Sequence, residues 1–383
     1  MLSLLSLSLH PSTPLHRSGE GSGGRGLSGG RGLSEARGFS WDQLFTLSQQ
    51  QAVIALIDAA IDRLPETQQP PRMERLKWYG YSQRIAQANA QVNGDLHRLV
   101  RCLDRAEIRY AVFKGQVAAA LYPEPWRRNS GDVDFYVARA DYQRARQLII
   151  NELGVQIVRS AEADKHEDFT LGHTHFELHF RIETFGTRRH QQRFDALIEE
   201  SLQTANPCRR TVDGVEVPVL PPVAELVTIF KHLFNHLLME GVGLRQFCDL
   251  LVHVERLCPL EPQAAAAQSL ELSQALSDIG YLSAFRAMLA VLHRYLGLTH
   301  LPLELSATDY RWAEALIAVP LSHGSFGKFD RSTTSRRWLQ QFDTALLALR
   351  HCLRFLPLAP TDILGLLPTR FGIALRRCHH PSH

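Results

Sequence analysis

Two aspartates one residue apart, Asp132 and Asp134, lie in the run Gly131-Asp132-Val133-Asp134-Phe135-Tyr136-Val137, which is otherwise apolar. A short run of this kind, rich in valine and aromatics, reads as a buried strand. Alternate side chains of a strand share a face, so Asp132, Asp134 and Tyr136 point one way while Val133, Phe135 and Val137 enter a core. Two carboxylates projecting together from a rigid support repel each other unless a cation neutralises them. Mg²⁺ suits such a pair because it takes one or two carboxylates and keeps its other positions for water and phosphate oxygens. The bland alternative is a solvated strand end.

The same parity applies to Thr174-His175-Phe176-Glu177-Leu178-His179-Phe180-Arg181. Phe176, Leu178 and Phe180 face a core, and His175, Glu177, His179 and Arg181 share the opposite face. If this strand lies beside the first, Glu177 becomes a third carboxylate. Three carboxylates can hold two metal ions roughly 4 Å apart for in-line displacement at phosphorus. Glu177 would then be a ligand and also the base for an attacking hydroxyl. Without that neighbour, the strand simply turns one polar face to water.

Upstream, Phe113-Lys114-Gly115 reads as a strand-to-helix junction. A glycine there lets backbone N–H groups approach a phosphate, a helix N-terminus favours anions, and Lys114 can pair with the phosphate. Arg127 and Arg128, just before the aspartates, either clamp a triphosphate or screen the acids.

These residues need elements to position them. Residues 1–38 are rich in Gly, Ser and Arg, with Gly-Gly-Arg-Gly-Leu-Ser repeated in tandem from Gly23 to Ser34. That composition predicts a segment without packed structure, or a start codon placed too early. Apolar residues at helical spacing predict one helix over Trp41–Leu64 and a second over Met73–Asp104, so residues 39–104 form a helical N-terminal segment. Residues 105–220 alternate strand and helix: strands at Ile108–Phe113, Asp132–Val137, Val155–Arg159 and His175–Ile182, helices after Gly115 and over Ala140–Leu153. Asp213-Gly214 between short apolar runs predicts a hairpin over Arg209–Leu220. After Pro221-Pro222, residues 221–383 read as an α-helical C-terminal domain, with periodic stretches at Ala224–Met239, Leu244–Leu257, Ser269–Leu296, Tyr310–Val319 and Arg336–Phe355. The predicted fold class is an α/β (α+β) core with a mixed sheet, flanked by N-terminal helices and an α-helical C-terminal domain.

Composition narrows the class further. The chain has 383 residues, 45% hydrophobic and 21% charged, with a formal net charge of +3, which is ordinary for a globular protein and lacks the concentrated basic tract of a DNA binder. Only five of its 42 basic residues are lysines, which draws attention to Lys114. Six scattered cysteines without a C-x-x-C pair argue against a zinc site and a disulfide framework, so a cytoplasmic location is expected. No run of 18 apolar residues predicts a membrane span, and the Leu/Ser start lacks the basic residues of a signal peptide.

The ordered set Phe113-Lys114-Gly115, Leu121-Tyr122-Pro123, Arg128, Asp132-Val133-Asp134 and Glu177-Leu178-His179 resembles the DNA polymerase beta-type nucleotidyltransferase superfamily. Within it, the chain is similar to an uncharacterised bacterial nucleotidyltransferase family that carries Lys-Gly in place of the usual Gly-Ser, and Gly243-Leu244-Arg245 with Asp249 matches as well. The resemblance covers about residues 40–370. It implies a nucleotidyltransferase fold, Mg²⁺ (or Mn²⁺) as cofactor and a nucleoside triphosphate as co-substrate. Its catalytic and metal residues would be Asp132, Asp134 and Glu177, with Lys114, Gly115 and Arg128 on the phosphates. Gly115 is followed by Gln116, so either Lys114 replaces the serine's phosphate contact or the triphosphate is held weakly.

In the helical half, His232 and His236 are four apart, as are Arg245 and Asp249, so each pair shares a helix face. With His179, the residues His232, Arg245 and Asp249 are candidates for the acceptor side of the cleft. A polar stripe and an intrahelical ion pair are the plainer readings. The basic stretch Arg370–Arg377 reads as a docked terminal helix before it reads as a membrane or RNA contact. The expected reaction is transfer of a nucleoside monophosphate to an unidentified acceptor hydroxyl, a small molecule ahead of a macromolecule such as a tRNA or a partner protein of toxin–antitoxin type. A degenerate, non-catalytic nucleotide-binding module is the alternative of another class.

Overall fold

The computed structural model describes residues 1–10, 40–159, 165–204, 206–239, 241–257, 262–323 and 337–367. Residues 11–39, with the Gly/Arg repeat, and the basic stretch Arg370–Arg377 lie outside the described residues.

Helices α1 (Leu2–Leu9), α2 (Trp41–Gln50), α3 (Ile54–Ile61) and α4 (Arg72–Arg105) come first. The first of these corrects the expectation that residues 1–38 lack packed structure. Its Leu4, Leu5 and Leu9 are buried, because the Leu/Ser alternation still sets a leucine stripe against α3. A single helix over Trp41–Leu64 is also corrected. Ser40 and Gln43 close a capping box on α2, and the backbone turns at Ala52, whose φ is 54°, before α3 begins.

Next come strand β1 (Tyr110–Phe113), the short helix α5 (Gly115–Ala119), β2 (Val133–Val137) and α6 (Tyr142–Leu153), closed by Gly154 in the left-handed conformation. Two antiparallel strands follow, β3 (His166–Leu171) and β4 (Thr174–His179), then α7 (Arg188–Leu202). The predicted hairpin is present as β5 (Arg209–Val212) and β6 (Val215–Pro218), turning at Asp213-Gly214 with positive φ at both residues. The remaining helices are α8 (Pro222–Met239), α9 (Leu244–Arg256), α10 (Pro262–Asp278), α11 (Leu282–Val291), α12 (Ala307–His323) and α13 (Arg337–Phe355). The expected helix over Ser269–Leu296 divides between α10 and α11 at Gly280, where φ is 75°.

The main sheet has the order β1-β2-β4-β3, with β2 and β4 parallel and the other pairs antiparallel, so it is mixed. The run Val155–Arg159 contributes one bridge, Val158 to Asp168, rather than a strand. On one face Val112, Val133, Phe135, Val137, Phe169, Phe176 and Leu178 pack with Leu96, Leu99 and Leu103 of α4 and Ile149 of α6. On the other face Phe113 and Tyr136 join the larger core, which gathers residues of α1 to α3 and of α7 to α13. The strand parity read from the sequence therefore holds: one side of the sheet is sealed by apolar burial, and the other turns its polar residues toward the C-terminal helices.

Candidate active site

The end of β1 feeds directly into the site. Lys114 has φ 62° and ψ −158°, a conformation that L residues rarely enter, and Gly115 follows at φ 49°. A Cβ at Gly115 would lie 3.0 Å from the Asp132 carbonyl oxygen, so only glycine lets the turn press against the carboxylate strand. Since α5 has only five residues, the anion affinity expected of its N-terminus falls mainly to the Lys114 ammonium. That ammonium lies 2.8 Å from Asp134 Oδ1. Burial works against its charge, but Asp134 and Glu177 outweigh burial and hold the lysine above its ordinary pKa.

The parallel pairing of β2 and β4 sets Asp134 opposite Glu177, the juxtaposition anticipated from strand parity. His179 Nε2 sits between them, 3.1 Å from Asp134 Oδ1 and 3.1 Å from Glu177 Oε2. Asp134 is buried; Lys114 and His179 overcome that burial and hold its carboxyl far below the usual carboxylate range. Asp132 is exposed at the strand's start and forms no ion pair among the described residues. Partial burial, Asp134 and Glu177 raise its pKa, the mutual repulsion that a cation would relieve. These oxygen donors suit a hard dication such as Mg²⁺ or Mn²⁺.

The loop before β2 is tied to the helices rather than free. Arg128 is buried, and its Nε and Nη2 donate to the two oxygens of Asp249 at 2.7 and 2.8 Å, while the Tyr122 hydroxyl donates to the same carboxylate at 2.7 Å. Asn89 Nδ2 donates to the carbonyls of Trp126 and Arg128, holding the loop against α4. Arg128 thus clamps the loop onto α9. Arg245 and Asp249 share a helix face as expected, yet no ion pair joins them. Arg245 Nη1 donates to the Asn129 carbonyl at 3.1 Å, and its Nε is buried without a hydrogen-bond partner among the described residues. Burial and the neighbouring Arg128 hold its pKa below the usual value. The guanidinium therefore stands beside Gly131-Asp132 with no ion-paired carboxylate among the described residues.

His232 Nδ1 lies 3.0 Å from Glu183 Oε1, and burial with Lys114 nearby pushes its pKa down to about 3. Its ring contacts that of His236 at 4.3 Å. Glu183, absent from the residues picked out in the sequence, is buried and also accepts from Asn235 Nδ2 at 2.7 Å with Lys165 Nζ at 3.4 Å. Also missed were His166 and Asp168 of β3. Their signal was the polar phase of His166-Glu167-Asp168-Phe169-Thr170-Leu171, obscured because the inward position 167 is a glutamate. The Tyr142 hydroxyl and Arg146 Nε both donate to it at 2.9 Å, and the guanidinium neutralises its charge.

A family model described as an uncharacterised nucleotidyltransferase matches residues 37–297. Among solved structures, an antigenic nucleotidyltransferase-like protein from Paracoccidioides brasiliensis is similar at 19% identity and TM-score 0.36, over 58% of this chain and 97% of that one. The antibiotic-resistance factor ANT(2'')-Ia is similar at 11% identity and TM-score 0.33, over 54% of this chain and 96% of its own. No curated protein matches. The family match spans more than half of the chain and contains Lys114, Asp132, Asp134, Glu177 and Asp249, and the chain belongs to the uncharacterised nucleotidyltransferase family.

Proposed function

We propose that the protein transfers a nucleoside monophosphate from a nucleoside triphosphate to the hydroxyl of a small acceptor, with release of pyrophosphate. The observation that carries this reading is the register of β2 on β4, which sets Asp134 against Glu177 with Lys114 on the same carboxylate. Asp132, Asp134 and Glu177 would hold Mg²⁺ or Mn²⁺; when bound, the ion neutralises phosphate charge and polarises the phosphoryl oxygen. Glu177 takes the proton of the acceptor hydroxyl. The acceptor oxygen then bonds to the α-phosphorus, and the bond to the β-phosphate oxygen breaks with its electron pair leaving on pyrophosphate. Lys114 offsets the charge that accumulates on the phosphates, and Arg245, free of any carboxylate partner among the described residues, does the same from α9. The chain has no concentrated basic tract, in keeping with a small acceptor.

Calorimetry with ATP and Mg²⁺ tests the reading at its first step. Binding at or below millimolar ATP, weakened at least about tenfold by Lys114→Ala, is expected. An absence of binding at millimolar ATP would contradict it.

A further inference from the structure

The polar face of the sheet continues past the carboxylate pair onto β3. There Asp168 registers opposite Glu177, and His166 opposite His179. The two imidazoles are arranged alike. His179 Nδ1 lies 3.1 Å from the Arg181 carbonyl, an acceptor only, so that nitrogen carries the proton. Its Nε2 then faces Glu177 Oε2 and Asp134 Oδ1, each at 3.1 Å. His166 Nε2 lies 3.4 Å from Asp168 Oδ1, while its Nδ1 is 3.5 Å from Glu177 Oε2 and buried without a hydrogen-bond partner among the described residues.

Each ring is thus oriented by an oxygen at one nitrogen and presents the other to the same carboxylate oxygen. Metal-bound histidines show this pattern, with the distal N–H held by a carboxylate or a backbone carbonyl. The ligand atoms of His166, Glu177 and His179 all lie within 4.8 Å of one another. Bonds of about 2.0–2.1 Å in a tetrahedral site set ligand atoms roughly 3.4 Å apart, close to the 3.1 and 3.5 Å separations here.

We propose that His166, His179 and Glu177 form a binding site for a borderline first-row dication, Zn²⁺, Fe²⁺ or Co²⁺, separate in its donor set from the oxygen-only Asp132/Asp134 pair. Two imidazoles and one carboxylate select such ions over Mg²⁺, which takes oxygen ligands. Asp168 and the Arg181 carbonyl orient the rings. Glu177 is shared, so an ion here sits at the edge of the proposed nucleotidyl-transfer site with coordination positions to spare. The inference needs only the β3–β4 geometry and stands whether or not nucleotidyl transfer occurs.

Co²⁺ is the probe, added to nucleotide-free, chelator-treated full-length protein. One equivalent should bind and give visible d–d absorption, and X-ray absorption at the cobalt edge should show two imidazoles. His166→Ala, checked for folding by circular dichroism, should lose the bands and at least about tenfold in affinity. Asp168→Asn should weaken binding by about 10–100-fold as an orienting residue. Cobalt bound through oxygens alone, or bands unchanged in His166→Ala, would each overturn the site. ATP binding is measured separately, so a failure of either reading is visible without the other.

Discussion

Lys114 shows how a single position serves backbone and charge together. Its φ of 62° with ψ −158° belongs to a region used almost only by glycine, and holding a side chain there costs on the order of 1–3 kcal/mol. The ion pair with Asp134 is the compensation. Lys114→Gly and Lys114→Ala both remove the ammonium, but only alanine keeps the steric conflict. Denaturant unfolding should therefore find the glycine variant more stable by about 1–3 kcal/mol, with both variants impaired in triphosphate binding. Equal stabilities would mean the strain is absent. At this scale the sequence was informative wherever period-2 parity applied: Asp134, Glu177 and His179 converge because alternate residues of paired strands must share a face. It was silent on Glu183, which follows no motif and becomes visible only when β4 runs into the helices, and the polar phase that marks His166 is obscured by Glu167.

Ion pairs buried between elements fix the helical half against the sheet. Arg128 on the loop before β2 closes on Asp249 of α9, and Arg210 of β5 closes on Glu225 of α8 at 2.8 and 2.6 Å. Arg128→Ala would leave the Asp249 carboxylate buried without its bidentate partner, a loss of about 3–5 kcal/mol measurable by chemical denaturation. A variant with unchanged stability and a raised KM for the triphosphate would return Arg128 to the phosphates. Burial opposes the Glu225 charge, but His253 and Arg210 outweigh it and bring its pKa down to about 2. A depressed carboxyl pKa stabilises the fold above the unfolded value near 4.5, and that stability is lost as pH falls toward 2. The melting-temperature advantage of wild type over Glu225→Gln should accordingly shrink between about pH 5 and pH 2. A constant difference across that range would remove Glu225 from the acid response. Long apolar periods made α4, α8 and α9 readable, and Asp213-Gly214 made the hairpin readable. Strand β3 was not, because Glu167 interrupts its apolar phase, and α7 was not, because only Phe194, Ile198 and Leu202 mark its buried stripe.

Across the whole molecule, two apolar cores lie on opposite faces of one mixed sheet. The larger core also gathers α1, which a composition-based reading had set aside. Leu4, Leu5 and Leu9 pack there, and His10 Nε2 reaches Glu255 at 2.6 Å. Composition averages over residues 1–38, whereas burial depends on the few leucines at the start. No helix among the described residues is long and apolar enough to cross a membrane. The mixed sheet and flanking helices were legible because their apolar periods are long, while the acceptor is not, since nothing in strand parity encodes its shape. Asp132, Asp134 and Glu177 are proposed to form a nucleotidyl-transfer centre. Incubation of wild type and Asp132→Asn with each α-phosphate-labelled nucleoside triphosphate, Mg²⁺ and cell extract tests it most directly. Wild type should place the label on an acceptor and release pyrophosphate. Asp132→Asn, equally folded, should lose at least about 10²-fold of that rate, as expected when a group that stabilises transition-state charge is removed. Transfer retained in Asp132→Asn, or inorganic phosphate released in place of pyrophosphate, would contradict the account.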